Sequence, residues 1–173
     1  MRYVCVDIET DGPSPADHSM VALGATFVDT RETFYRVIQR LPDKKGNAGT
    51  NLWLATKAGL PDEVIANGAT PLDTMRDFAA WLTKDPANGR ITMVADNAGF
   101  DWMFVCWYLN HFTGTNPLGH SCVSLTSLYK GVQKDMKASF KHLRTVRHTH
   151  NALDDAEGNA GAFRTIMKEF RHG

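Results

Sequence analysis

The chain has 173 residues, 43% hydrophobic and 22% charged, enough for one globular domain with a single core and short for two. No run of about 18 apolar residues occurs, which excludes a membrane-spanning helix. The formal net charge is zero, so the protein as a whole exerts no strong pull on nucleic acid. The opening MRYVCVDIET meets an acid early, unlike a signal peptide. Cys5, Cys106 and Cys122 are too dispersed for a zinc site and odd in number for a disulfide framework. They read as buried thiols of a reducing, cytoplasmic compartment.

Taken in chain order, Tyr3 to Glu9 predicts a strand that begins apolar and ends in acids. Met20 to Val28 and Thr33 to Gln39 predict two more, joined by a hairpin at Asp29-Thr30-Arg31. Leu41 to Asn51 reads as a loop, followed by short helical material over Leu52 to Ala66, and the Leu41–Gly68 segment carries no interpretable motif. Thr70-Pro71 reads as an N-cap with proline at the first helical position, ahead of the stripe Leu72, Met75, Phe78, Ala79 and Leu82. Ile91 to Ala95 predicts a short apolar strand. Phe100 to Phe112 predicts a helix with Met103, Phe104, Trp107 and Tyr108 inward, and Cys122 to Leu125 a fifth strand. Leu153 to Phe170 predicts the terminal helix. Three strands in a meander followed by alternating helices and strands indicate an α/β domain with a mixed sheet flanked by helices, a single domain over 1–173.

Charge is unevenly placed. From Lys130 to Arg147 six cations stand against the single acid Asp135, a local +5. Such a run is either a solvated helix face or a rim that holds phosphates.

Acids collect at element ends. Strand periodicity points Asp7 and Glu9 to one face, about 7 Å apart along the backbone. Two acids so placed repel each other and call for water, a basic side chain or a cation. Asp101 falls at the entry to a helix, where the macrodipole favours an acid, and Asp96 or Asn97 could cap the same helix. On the terminal helix, Leu153, Ala156, Ala160, Phe163, Ile166, Met167 and Phe170 share one face at about 100° per residue. Asp155 lies at the edge of that face; Asp154 lies nearly opposite and looks into water. Asp7, Glu9, Asp101 and Asp155 would together carry −4. Two divalent cations neutralise that charge, and oxygen ligands suit Mg²⁺ or Mn²⁺. His150 adds a group able to take a proton near neutral pH, with His148 as its rival.

DIET with Asp7 and Glu9, NAGFD ending in Asp101, and HNALDDA with His150 and Asp155 together resemble the three exonuclease motifs of the histidine-containing branch of the DEDD superfamily. MVALGATFVD resembles that family's second strand, and the likeness spans about residues 3 to 167. The resemblance implies a ribonuclease H-like fold and two-metal removal of nucleotides from single-stranded RNA or DNA 3′ ends. Asp7, Glu9 and Asp155 would hold the ion that activates water, and Asp7 and Asp101 would share the second. His150 would be the general base. It also suggests a homodimer, as relatives of this size often are.

With a phosphodiester site in view, Arg144 and Arg147 become candidates for the phosphate rim. Thr10 and Gly12 are candidates for close backbone approach to the terminal nucleotide. Asn97 is a further substrate candidate, and Phe100, with Trp102, either stacks on a base or packs in the core. Two departures touch no metal ligand: Asp96 stands where many relatives have histidine, and Ala22 replaces a frequent acid. An aspartyl phosphatase is the competing enzyme, but it needs a second aspartate where the chain has Glu9. A non-catalytic nucleic-acid-binding module is the competing reading of another class.

Overall fold

The computed structural model describes residues 2–85 and 89–172, without the side chains of 170–172, so the expected inward position of Phe170 lies outside the described residues. Five strands, β1 (Arg2–Thr10), β2 (Met20–Phe27), β3 (Thr33–Val37), β4 (Ile91–Ala95) and β5 (Cys122–Ser124), form one sheet in the order β3-β2-β1-β4-β5. β1 pairs antiparallel with β2 and parallel with β4, and β4 pairs parallel with β5. The central strand is therefore apolar on both faces: Val4, Cys5 and Val6 are fully buried. Val4, Val6 and Ile8 face a core that includes Met75 and Phe78 of α3 (Pro71–Thr83) and Phe104 and Tyr108 of α4 (Ala98–Thr113). Cys5 faces the other way, toward Ala160, Phe163 and Ile166 of α6 (Ala152–His172). Cys5 is the fully buried thiol; Cys106 and Cys122 are half-buried, and all three are free.

Local chemistry explains most boundaries. Thr70 caps α3 by accepting from the Asp73 amide at 3.1 Å, with Pro71 at the first helical position as expected. Met103, expected inward on α4, is 37% exposed, because the buried side of that helix passes through Asp101, Phe104, Val105 and Tyr108. β5 stops one residue short of the expected Leu125, since the Ser124 hydroxyl accepts from the Ser127 amide and starts a helix, α5 (Leu125–Gln133). The segment after β3 folds into α1 (Ala48–Lys57), capped by Asn47, and α2 (Asp62–Ala66). A fully buried Asp11 ties it down: its carboxylate meets Arg40 Nε at 3.0 Å, and Arg40 reaches on to Asp62 at 2.9 Å and Asn51 at 3.2 Å. Among the described residues no helix is long and apolar enough to cross a membrane.

One glycine positions the site. Gly24 of β2 lies directly across from Asp7 of β1, so both present the same sheet face. A Cβ on Gly24 would sit 2.2 Å from the Ala152 carbonyl carbon. Hydrogen in place of a side chain thus seats the first turn of α6 on the sheet beside Asp7, and Ala152, Ala156 and Ala160 keep the approach close. Gly24→Ala should cost about 1–3 kcal/mol by overpacking and should lower activity beyond what the unfolded fraction explains. Denaturant melts paired with rate measurements check this, and an unperturbed melt contradicts it.

Candidate active site

The parallel strands β1, β4 and β5 end on one edge of the sheet, the edge where α/β proteins build their sites. Asp7 and Glu9 stand at that end of β1, and α6 delivers Asp155 from above. One carboxylate oxygen of each of Asp7, Glu9 and Asp155 lies within 4.8 Å of the others. Asp155 is 2% exposed and Glu9 is also buried. Asp101, buried in the first turn of α4 and accepting a hydrogen bond from the Ile8 backbone, is the carboxylate that repels Asp7 most strongly.

These groups cannot all ionise unaided. Burial raises the Asp7 carboxyl well above its ordinary range, with the charges of Asp101, Glu9 and Asp155 adding to it and Arg144 opposing. Glu9 is pushed up to about 8 by burial, then by Asp155 and Asp101. Asp101 rises to about 7, chiefly through burial, although backbone hydrogen bonds oppose the rise. A tight set of buried, oxygen-only donors short of positive charge fits hard divalent cations.

The fit has a thermodynamic consequence. Above pH 5 the folded, metal-free protein holds protons that the unfolded chain has released, on Asp101 up to about pH 7 and on Glu9 up to about pH 8. These groups therefore contribute stability at low pH that is lost as pH rises. A cation that binds the ionised cluster does the reverse. The melting-temperature gain from Mg²⁺ or Mn²⁺ over chelator should therefore grow from pH 5.5 to 8.5. An equal melt with and without metal across that range would count against the cluster as a cation site.

The loop before α6 is folded around the same carboxylates. Asn151 accepts from the Leu153 amide at 2.9 Å and opens the helix. Thr149 donates its hydroxyl to Asp154 at 2.7 Å, which leaves Asp154 half-buried and away from the cluster. His148, not His150, touches Asp155: its Nδ1 donates to Oδ1 at 2.7 Å. His150 adopts a left-handed backbone, φ 63°. Its ring packs edge-on against Trp53 of α1 at 4.9 Å and against His148 at 4.2 Å. Burial, then the neighbouring His148, lowers the His150 pKa below that of a free imidazole.

The sequence profile of the 3′-5′ exoribonuclease Rv2179c-like domain matches residues 2–167. The chain belongs to that family. It is a nuclease, a 3′-5′ exonuclease. It is also similar to the Escherichia coli 3′-5′ DNA exonuclease Cap18, 29% identical over 96% of this chain and 91% of that protein. The fold matches the nuclease domain of 3′hExo, a DEDDh family member bound to rAMP, with a TM-score of 0.74 at 11% identity, covering 97% of this chain and 92% of the other. It matches S. pombe Pop2p in its Mg²⁺- and Mn²⁺-bound form with a TM-score of 0.70 at 14% identity, covering 98% and 84%. E. coli Exonuclease I in complex with a dT13 oligonucleotide gives 0.71 at 15% identity, covering 99% and 41%. The mixed five-stranded, ribonuclease H-like architecture is that of this group.

The remaining candidates in this Rv2179c-like exonuclease divide by what surrounds them. Thr10 and Phe100 line an open cleft of about 500 Å³ beside Glu9, whose far wall is Asn47, Thr50 and Trp53 from the Leu41–Gly68 segment. Gly12 does not offer close approach. It is buried, and a Cβ there would overlap the His18 ring, so neighbour packing accounts for the glycine. Arg144 does not stand on an exposed rim either. Its side chain is 8% exposed, held by Asp96 Oδ2 at 3.0 Å and Asn159 Oδ1 at 3.0 Å. Asp96 also accepts from the Thr126 hydroxyl at 2.6 Å, so it braces Arg144 and α5 and does not cap α4. Arg147 and Asn97 are exposed. Trp102 is half-buried against the core.

Proposed function

We propose that the exonuclease acts on single-stranded RNA or DNA and releases nucleoside monophosphates from the 3′ end with two divalent cations, Mg²⁺ or Mn²⁺. The observation that carries this reading is the meeting of Asp7, Glu9 and Asp155 at the end of β1, with the Asp101 charge bearing on Asp7 and His150 close to Asp155. Asp7, Glu9 and Asp155 would hold one ion, and Asp7 and Asp101 would hold the other. When bound, such ions acidify water and neutralise charge on the phosphate and on the departing oxygen.

The chain's own residues do the rest. The terminal nucleotide enters the cleft between Phe100 and Trp53, with Thr10 and Asn97 as polar contacts, and Arg147 draws the strand toward the site. His150 takes a proton as the water oxygen bonds to phosphorus. The bond from phosphorus to the 3′ oxygen of the preceding nucleotide breaks, and that oxygen regains a proton from solvent. The lowered pKa supports this role, because it keeps the imidazole neutral and able to accept at neutral pH.

The test is a matched set of single-stranded RNA and DNA oligomers, labelled at either end, incubated with Mg²⁺. Labelled mononucleotide released at once from 3′-labelled strands, with 5′-labelled strands shortening stepwise, is the expected result. Binding without shortening, or release from the 5′ end, would overturn the reading. The RNA and DNA arms settle which sugar is preferred, since the family is described by an exoribonuclease and the E. coli relative by a DNA exonuclease.

A further inference from the structure

We propose a second metal site, formed by His148, His150 and Asp155, that takes Zn²⁺ or a similar transition-metal ion and inhibits the enzyme. The inhibitory part rests on the function proposed above; the binding part does not. One ligand atom from each of these residues lies within 4.8 Å of the other two, a grouping separate from Asp7, Glu9 and Asp155 although both use Asp155. Two imidazoles and one carboxylate make a softer donor set than the oxygen-only cluster. Such sets favour zinc, whereas carboxylates alone favour magnesium.

The local backbone explains the convergence. Residues two apart on an extended segment send their side chains the same way but about 7 Å apart. Here the left-handed turn at His150 folds the segment so that the two rings come to 4.2 Å, 72° apart in plane. Asp155 is the fixed point, buried and held by the Thr149 amide at 3.3 Å. His148 is the movable one, with its side chain 47% exposed. Tetrahedral zinc with bonds of about 2.0–2.2 Å sets its ligand atoms about 3.3 Å apart. The His148–Asp155 pair at 2.7 Å must open slightly and His150 must swing in, both within reach of side-chain rotation. The proton on His148 Nδ1 leaves to solvent, and a fourth position stays open. An ion held there withdraws both Asp155 and His150 from the reaction.

Co²⁺ serves as the visible probe and Zn²⁺ as the ligand. In metal-free Asp7→Asn protein, which keeps all three donors, Co²⁺ should give the intense absorption of a tetrahedral, nitrogen-ligated ion. His148→Ala should abolish that band and weaken Zn²⁺ binding by calorimetry about tenfold or more. With saturating Mg²⁺ and an oligonucleotide, low Zn²⁺ should inhibit wild type, and His148→Ala, scaled to its own zinc-free rate, should need about tenfold more. Loss of the band in Asp7→Asn but not in His148→Ala would place the ion among the carboxylates and overturn the proposal. Zinc bound through His148 without inhibition would overturn its inhibitory part. Zinc bound through His148 in a protein that cuts no oligomer would leave this site standing and remove the proposed function instead.

Discussion

Asp7→Asn should reduce turnover to below a tenth of wild type, and to the assay floor if both ions depend on it. Asp7 is the hub of the cluster: Glu9 and Asp155 each place an oxygen within 4.8 Å of its own, and Asp101 is its strongest charged neighbour. Asparagine keeps the shape and one oxygen but removes the charge that draws a cation. The loss is one of chemistry and not of folding. Removing one of four crowded carboxylates relieves repulsion, so the variant in chelator should melt no lower than wild type. The Mg²⁺-dependent rise in melting temperature should shrink in parallel with the rate. Retention of more than about a tenth of the activity would contradict the role.

His150→Ala should slow turnover by about 10²–10⁴-fold, the usual worth of a positioned general base, while Mg²⁺ still raises the melting temperature. The backbone at this position complicates alanine, because φ is 63° and a left-handed residue without a polar side chain is strained. His150→Asn is the cleaner variant, since asparagine tolerates that conformation and carries no base. Both should lose activity to a similar extent. His148→Ala is the necessary comparison, because His148 is the ring on Asp155. If His148→Ala lost activity by 10²-fold and His150→Asn did not, the base would be His148.

Where the sequence was informative, a repeating physical pattern lay behind it. The strand period put Asp7 and Glu9 on one face, and the helical period put Asp155 at the edge of the buried side of α6 and Asp154 away from it. The Thr70-Pro71 cap was legible for the same reason: local hydrogen bonding fixes it. What escaped depends on partners far away in the chain. Arg144 reads as one cation of a basic run until Asp96 and Asn159 are seen to hold it inward. Gly12 reads as a point of approach until His18 fills the space. Trp53 and Asn47 carry no pattern at all. They become a cleft wall only because buried Asp11 and Arg40 fold their segment back onto the end of β1. Gly24 had a signal available, a glycine in the interior of a largely apolar strand, which often marks close approach of another backbone.

Under the proposed function, acids from β1, α4 and α6 together hold the cations that the exonuclease reaction uses. Crystals grown with Mn²⁺ and measured at the manganese absorption edge test it most directly. An anomalous peak is expected within about 2.0–2.4 Å of Asp7, Glu9 and Asp155 oxygens, with a second between Asp7 and Asp101 when a nucleotide is bound. Manganese found only elsewhere, with these carboxylates free of it, would rule out this cation site.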